Sequence, residues 1–206
     1  MKKYVRYLLV LLMCGSLTGV KAQKTFQVDG INYYLDGSEA RVSDNRDYSG
    51  SKIVIPNSVL YDGKNYPVTS IADSAFYSNW SLIEVTIPNS VTTIGSYAFS
   101  SCTGLKKVIW NARNANGFQD DTPFSDCENL TEFVFGDEVE HIPDYLCYNL
   151  TSLKNLVIGN SVTNIRSHAF KGCTGLTAVT LPNAMTDIGG WAFAYCTGLT
   201  EVTIPN

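Results

Sequence analysis

The sequence predicts a repeat solenoid, with a parallel β-sheet on one face, turns and short helical segments on the other, and a β-hairpin cap at the N-terminal end. Three observations predict it. A phrase recurs at a fixed interval: Cys173-Thr-Gly-Leu-Thr-Ala-Val-Thr-Leu-Pro-Asn183 returns, nearly unchanged, as Cys196 to Asn206, 23 residues further on. Phenylalanines keep the same time, at Phe76, Phe99, Phe124, Phe170 and Phe193. Each interval also carries Leu-x-x-apolar-x-apolar, the alternation of a half-buried strand. A unit this short cannot bury its own apolar side, whereas stacked units cover one another.

In chain order, residues 1–22 come first and differ from everything after them. Lys2, Lys3 and Arg6 precede an apolar run from Leu8 to Met13, and Val20-Lys21-Ala22 offers a cleavage position before Gln23. This is the layout of a secretory signal peptide. The apolar run is shorter than the roughly 20 residues of a transmembrane helix. A lipoprotein signal with Cys14 as the lipidated residue is the minor alternative, since Met13 fits poorly before that cysteine. Cleavage removes four basic residues and no acid, so Lys+Arg falls from 15 to 11 against 19 Asp+Glu, and the net charge moves from −4 to about −8. An acidic surface argues against nucleic acid and anionic membranes as partners. Only 17% of residues are charged, against about 25% in an average chain. Asn, Ser, Thr and Gly fill the polar positions and favour turns and strands.

Residues 23–70 are expected to form the N-terminal β cap and the first rung. Phe26 to Tyr33 is a hairpin around Asp29-Gly30, and Tyr61 to Tyr66 holds a second tip at Asp62-Gly63. The cap covers the open apolar end that every stacked array presents. Residues 71–206 hold the repeats. The Phe gaps are 23, 25, 46 and 23, and the 46 conceals one more unit, centred on Leu146. The strand pairs are Val85/Ile87, Val108/Trp110, Phe133/Phe135, Leu156/Ile158, Val179/Leu181 and Val202/Ile204. Gly104, Gly175 and Gly198 precede the unit's Leu, where a turn needs positive φ. Pro88, Pro182 and Pro205 follow the strand, where a missing N–H is tolerable. Counting an early rung at Ile53/Ile55, the array has seven rungs and is about 29 Å long.

The phrase I-P-N-S-V-T-x-I-G-x-x-A-F-x-x-C-x-x-L, read from about residue 53 to residue 206, resembles the BspA-like (type 5) leucine-rich repeats of bacterial surface proteins. The resemblance implies a leucine-rich-repeat solenoid on a secreted or cell-surface protein. It also implies non-enzymatic adhesion to host matrix proteins or other bacterial surfaces. Two units depart from the pattern. The third replaces S-V-x-x-I-G with the polar loop Asn111 to Pro123. The fourth has Tyr145-Leu146-Cys147 in place of Ala-Phe, and one extra residue before Leu153. A local kink is expected there.

Candidate chemistry is sparse. Cys102, Cys127, Cys173 and Cys196 each follow the unit's Phe by three residues, with Asn79 and Asn149 in the same place elsewhere and Cys147 off the pattern. Disulfides between neighbouring rungs, Cys102–Cys127 or Cys173–Cys196, are conceivable in a secreted protein. The Asn residues at the same position instead point to buried free thiols. There is no C-x-x-C, and His141 and His168 occupy non-equivalent positions, so no zinc site or catalytic triad is expected. Asp120-Asp121 is too few acids for a Ca²⁺ site, no phosphate-binding loop follows a strand, and no cofactor is implied. Asp73-Ser74-Ala75 resembles a short O-glycosylation motif.

The open strand face is the candidate site. Between the buried pair of each strand one residue points outward: Thr86, Ile109, Val134, Val157, Thr180 and Thr203, all β-branched. Glu84, Lys107 and Glu132 edge this column, which is expected to run unbroken. β-Propensity alone accounts for branched residues on a pleated surface, while a binding face for an extended protein or glycan partner accounts for an adjoining Ile109, Val134 and Val157. Tyr97, Trp191 and Tyr195 fall on the turn side. The alternatives to a binding protein are a structural spacer, a fragment of a larger surface protein, and an enzyme carried on the repeats. The sequence stops in mid-unit, which predicts a piece of a longer array, a frayed last rung, or self-association through an uncapped end.

Overall fold

The two Asp-Gly turns set the N-terminal region. The computed structural model describes residues 24–119 and 121–204; the expected leader, with Cys14, and Asp120 lie outside the described residues. β1 (Thr25–Val28) and β2 (Ile31–Asp36) form a hairpin closed by Asp29 and Gly30, with φ of 49° and 83°. Positive φ at both central residues gives the turn whose twist matches paired strands. β3 (Glu39–Val42) follows through Gly37. β4 (Lys52–Val54) opens the array, and Asp62-Gly63 closes a hairpin between β5 (Ser58–Tyr61) and β6 (Lys64–Ile71). The sheet order is β1-β2-β3-β6-β5, with β3 parallel to β6. β6 also pairs with β8 (Thr93–Ile94), so the N-terminal sheet continues into the array.

From there each unit places one strand on the strand face and one turn opposite. The strand-face strands are β4, β7 (Glu84–Ile87), β9 (Lys107–Trp110), β10 (Glu132–Phe135), β12 (Asn155–Val157), β14 (Ala178–Thr180) and β16 (Glu201–Thr203). Three two-residue strands, β11 (His141–Ile142), β13 (Asn164–Ile165) and β15 (Asp187–Ile188), form a second parallel sheet behind them. The third unit contributes no such strand, in keeping with its missing S-V-x-x-I-G.

Among the described residues the turn side carries no helix, so the short helical segments expected there are absent. The backbone explains why. The residues two before and two after the turn centre sit at positive φ in most turns: Ser74 and Ser78, Tyr97 and Ser101, Tyr145 and Asn149, His168 and Gly172, Trp191 and Tyr195. Left-handed residues spaced this closely prevent a helical run. Their N–H groups instead donate to the next turn, as Ser74 does to Ser96, Phe76 to Ala98 and Ser78 to Ser100.

These bonds correct the expected clock. Cys147 donates its N–H to the Ala169 carbonyl as Phe76 does to Ala98 and Phe170 to Ala192. Cys147, not Leu146, therefore holds the turn centre, and the spacing becomes 23, 25, 23, 23 and 23. No extra residue precedes Leu153, which follows Cys147 by six residues as Leu105 follows Phe99. Nor does Asn149 share the slot of Asn79; Leu150 does, fully inside the core.

The core is a stack of rings with one substitution. Phe76 lies on Phe99 with centroids 4.9 Å apart, Phe99 on Phe124 at 5.4 Å, and Phe170 on Phe193 at 5.1 Å. Cys147 interrupts the stack with a much smaller side chain. Phe133 and Phe135 of the preceding strand take up the space. Phe133 stands edge-on to Phe124 at 5.6 Å, Phe135 edge-on to Phe170 at 6.1 Å, and the two rings stack at 4.8 Å. The five other strands with a buried or half-buried pair here carry at most one aromatic in it, Trp110.

The five described cysteines are all buried free thiols, so neither rung-to-rung disulfide is present. Four of them donate S–H to the turn-centre carbonyl one unit back: Cys102 to Phe76, Cys127 to Phe99, Cys173 to Cys147 and Cys196 to Phe170, at 3.0–3.1 Å. Asn79 does the same work against the N-terminal region, where its Nδ2 donates to the Tyr48 carbonyl at 2.8 Å.

The glycines before the unit's Leu also need a different account. Gly104, Gly175 and Gly198 do not have positive φ. A Cβ on Gly104 would lie 2.1 Å from the Trp80 carbonyl, and one on Gly198 2.4 Å from that of Thr174. Close approach of successive rungs is what requires glycine there. Where the slot is not glycine, its side chain bonds backward: Asn129 to the Thr103 carbonyl and Ser152 to that of Glu128.

Two seams interrupt the stacking. On the strand face the sheet order is β12-β10-β9-β7-β4, and β14-β16 form a separate pair, so no ladder joins β12 to β14. On the turn side, Phe124 and Asp126 lack the bonds to the next turn that Phe99 and Ser101 make. The carbonyl of Asp144 there receives the N–H of Phe118, a residue of the third-unit loop. The fourth unit thus has a seam on each side.

Candidate binding surface

Alternation within each strand decides which residues face outward. In β7, β9 and β10 the second and fourth residues are buried and the first and third are partly exposed. Parallel pairing then aligns the outward residues in register. Val54 pairs with Thr86, Thr86 with Ile109, Ile109 with Val134, and Val134 with Val157. Thr86, Ile109 and Val134 are half-buried by their neighbours, while Val157 is 43% exposed and Val54 58%. Thr180 pairs with Thr203 in the separate two-stranded sheet. The column expected to be unbroken is therefore divided between Val157 and Thr180. Val54 extends it at the other end by the same alternation around Ile53 and Ile55.

Beside this column runs a row of charges. Lys52, Glu84, Lys107 and Glu132 are cross-strand neighbours, alternating in sign. Lys52 reaches Glu84 at 2.7 Å and Lys107 reaches Glu132 at 3.0 Å. Such partly exposed pairs contribute about 0–1 kcal/mol each; their larger effect is to disfavour a strand shifted by one rung, which places like charges opposite.

At the C-terminal ends of these strands the column opens into a groove of about 530 Å³, bordered by Val54, Thr86, Asn57, Asn89, Asn111 and Glu138 among others. Its origin lies in the third unit. After β9 the chain turns inward: Ala112 is fully buried and its carbonyl accepts the Trp110 indole N–H at 3.1 Å. Across the resulting dip, Asn89 Nδ2 donates to Glu138 Oε2 at 2.8 Å. The sequence gives the strand column through its period but not this groove, which depends on the inward path of an irregular loop.

Other candidates are not brought together. His168 is stacked between Tyr145, at 4.5 Å, and Trp191, at 6.3 Å, and among the described residues neither histidine hydrogen-bonds a carboxylate. Lys171 holds its ammonium 5.5–5.7 Å from the ring centroids of Tyr148, Trp191 and Tyr195 on the turn side. Asp121 accepts a hydrogen bond from the Ser96 hydroxyl, and Asp73 one from the Ser96 N–H. Among the described residues there is no group of three or more His, Cys, Asp or Glu placed to hold a metal ion. No helix among them is long and apolar enough to cross a membrane.

With period, register and turn geometry defined, the family follows. The family model for the BspA type leucine rich repeat region matches residues 69–145 and 119–206, in six copies. The chain belongs to the BspA-type leucine-rich repeat family. No curated protein matches it. Among solved structures, a leucine-rich repeat protein from Eubacterium ventriosum is 23% identical, with a TM-score of 0.59 over 88% of this chain and 50% of its own. The pneumococcal vaccine antigen PcpA is 20% identical, with a TM-score of 0.56 over 89% and 49%. A leucine rich cell surface protein from Faecalibacterium prausnitzii is 26% identical, with a TM-score of 0.47 over 88% and 55%. The chain spans about half the length of these three structures. The first two share the fold. In BspA-type terms, the strand column is the repeat's outward position, and the ladder cysteine is its turn-closing position.

Proposed function

We propose that this chain is a secreted or cell-surface binding protein without enzymatic activity. It adheres to host matrix proteins or to other bacterial surfaces by laying an extended partner along the strand face. The observation that carries this reading is the in-register column Val54, Thr86, Ile109, Val134 and Val157, which presents β-branched side chains at one position per rung. Exposed apolar surface in a continuous row is where solenoids make many small contacts with a long partner. The flanking charges of Glu84, Lys107 and Glu132 are already engaged within the row, which leaves shape and apolar contact as the main determinants. The basic-apolar leader at residues 1–22 supports export, and membership of a family of bacterial surface proteins supports the location.

The test is a binding panel of matrix proteins and glycans, run with the purified chain lacking residues 1–22 and with an Ile109→Lys, Val134→Lys, Val157→Lys variant. The expected result is binding to at least one panel member, abolished in the variant while circular dichroism and Tm show the fold retained. Undiminished binding by the variant overturns the strand face. Failure of the wild type against the whole panel favours a structural spacer.

A further inference from the structure

We propose that the strand-face seam between the fourth and fifth units is a slot for one extended polypeptide segment of a partner protein, held by main-chain hydrogen bonds to both of its edges. The proposal concerns backbone pairing at one place and does not rest on the side-chain column.

Hydrogen-bond direction defines the two edges. Along the strand face, buried residues turn their backbone groups to the following strand, and outward residues turn theirs to the preceding one. Ile55 donates forward to the Thr86 carbonyl and Leu181 to that of Thr203, while Lys107 donates back to Ile83 and Asn155 back to Thr131. By the same rule Leu156 and Ile158 of the fourth unit face β14, and Ala178 and Thr180 of the fifth face β12. No hydrogen bond joins the two edges.

The opening is a wedge. The same two units are tied rung to rung elsewhere, by β11 pairing with β13 and by the N–H groups of Cys147 and Asn149 donating to the carbonyls of Ala169 and Lys171. On the strand face β12 and β14 stand further apart than paired strands do. Leu156 and Ile158 are half-exposed, whereas their counterparts Val108, Trp110, Phe133 and Phe135 lie inside the core.

Two facing rows of backbone N–H and C=O groups over a half-exposed apolar floor select an extended polypeptide. Such a chain presents N–H and C=O groups alternately to both sides at the strand repeat, and its inward side chains cover the floor. The seam also lacks the protection found at β4, the open end of the five-stranded sheet. There the outward residue is a lysine, Lys52, and the Tyr48 hydroxyl donates to the Lys52 carbonyl at 2.9 Å. Charges and capping groups on an edge discourage a foreign strand. Neither is present within β12 or β14, where Asn155 and Ala178 take the place of the charges at Lys107 and Glu132. The segment that fits is uncharged at its centre, with apolar or β-branched residues alternating. It needs about 9.6 Å, two strand spacings, so the wedge widens on binding while the turn-side and back-sheet bonds stay closed.

The probe is a fluorescein-labelled peptide of about six alternating valine and threonine residues between terminal lysines. It is titrated into the chain lacking residues 1–22 and read by fluorescence anisotropy and NMR amide exchange. The peptide is expected to bind and to slow exchange at Leu156, Ile158, Ala178 and Thr180. Two further peptides, N-methylated at the valines or at the threonines, lose the N–H groups that face one edge or the other, and each is expected not to bind. Ala178→Pro removes a donor that the fold leaves unused and is expected to weaken binding about fivefold or more. Thr180→Lys, which puts a charge on the same edge and keeps every backbone group, is expected to weaken it similarly even if the proline disturbs β14. Ile109→Lys with Val134→Lys strikes the side-chain column alone and is expected to leave binding unchanged. The proposal is overturned if the peptide does not bind, if either N-methylated peptide binds as well as the parent, if Thr180→Lys has no effect, or if the column variant abolishes binding. Dimerisation of the chain alone through the seam, lost in Thr180→Lys on sedimentation, also overturns it by making a second copy the occupant.

Discussion

The Cys102 Sγ lies 3.0 Å from the Phe76 carbonyl of the preceding turn, and burial pushes its thiol up to about 12. Only the protonated thiol can donate this hydrogen bond, so charge and geometry agree. The linkage follows directly. An acid raised in the folded state stabilises fully below its unfolded value near 9 and loses that contribution as pH climbs towards 12. Burial also raises Cys127, Cys147, Cys173 and Cys196. Urea denaturation at pH 8 and at pH 10.5 is expected to show a marked loss of stability at the higher pH, up to about 1.4 kcal/mol per thiol per pH unit. Cys102→Ala is expected to flatten that slope; an unchanged slope refutes the thiol as its source. The same burial keeps the thiolate scarce, so iodoacetamide is expected to leave the folded chain lacking residues 1–22 unlabelled at neutral pH and to label all five of its cysteines in urea, as mass spectrometry would report.

The turn centred on Cys147 shows how an element depends on its neighbour. Its small side chain is matched by Phe133 and Phe135 leaning in from β10. Cys147→Phe, which restores the repeat's own residue, is therefore expected to destabilise by about 1–3 kcal/mol through overpacking. Adding Phe135→Leu is expected to recover much of that loss, a non-additivity that chemical denaturation of the two single variants and the double variant would measure. Sequence reading missed this element for a physical reason. Leu146 and Cys147 are adjacent and both fully buried, and apolar character alone does not say which one sits at the centre; the hydrogen-bond register from Cys147 to Ala169 does. Local signals read well: Asp29-Gly30 and Asp62-Gly63 adopt the positive φ values that their hairpins demand. The parallel pairing of β3 with β6 is carried by no local pattern. The strand column was legible because period two within a strand and a repeat of about 23 between strands fix it, whereas its division after Val157 and the groove at its strand ends arise from how irregular units stack.

Across the whole molecule, the two seams flanking the fourth unit set where the array is weakest. Amides of stacked turns and paired strands are protected by the next rung, and those at a seam are not. Native-state hydrogen exchange is expected to be faster at Phe124 and Asp126 than at Phe99 and Phe170, which hold equivalent or neighbouring positions with bonds intact. Equal protection at all four would show that the seams close in solution. The pairing of Cys147 with Phe133 and Phe135 reaches further, into how such an array can change its length. Repeated genes lengthen and shorten by unequal crossover between copies, and a crossover is harmless only where the units it joins are interchangeable. One that falls between Phe135 and Cys147 would leave two leaning rings with a third already in their place, or a void with nothing to fill it. The third and fourth units are thereby bound to be inherited together, while the fifth and sixth, each with its own phenylalanine, are free to be copied or lost one at a time.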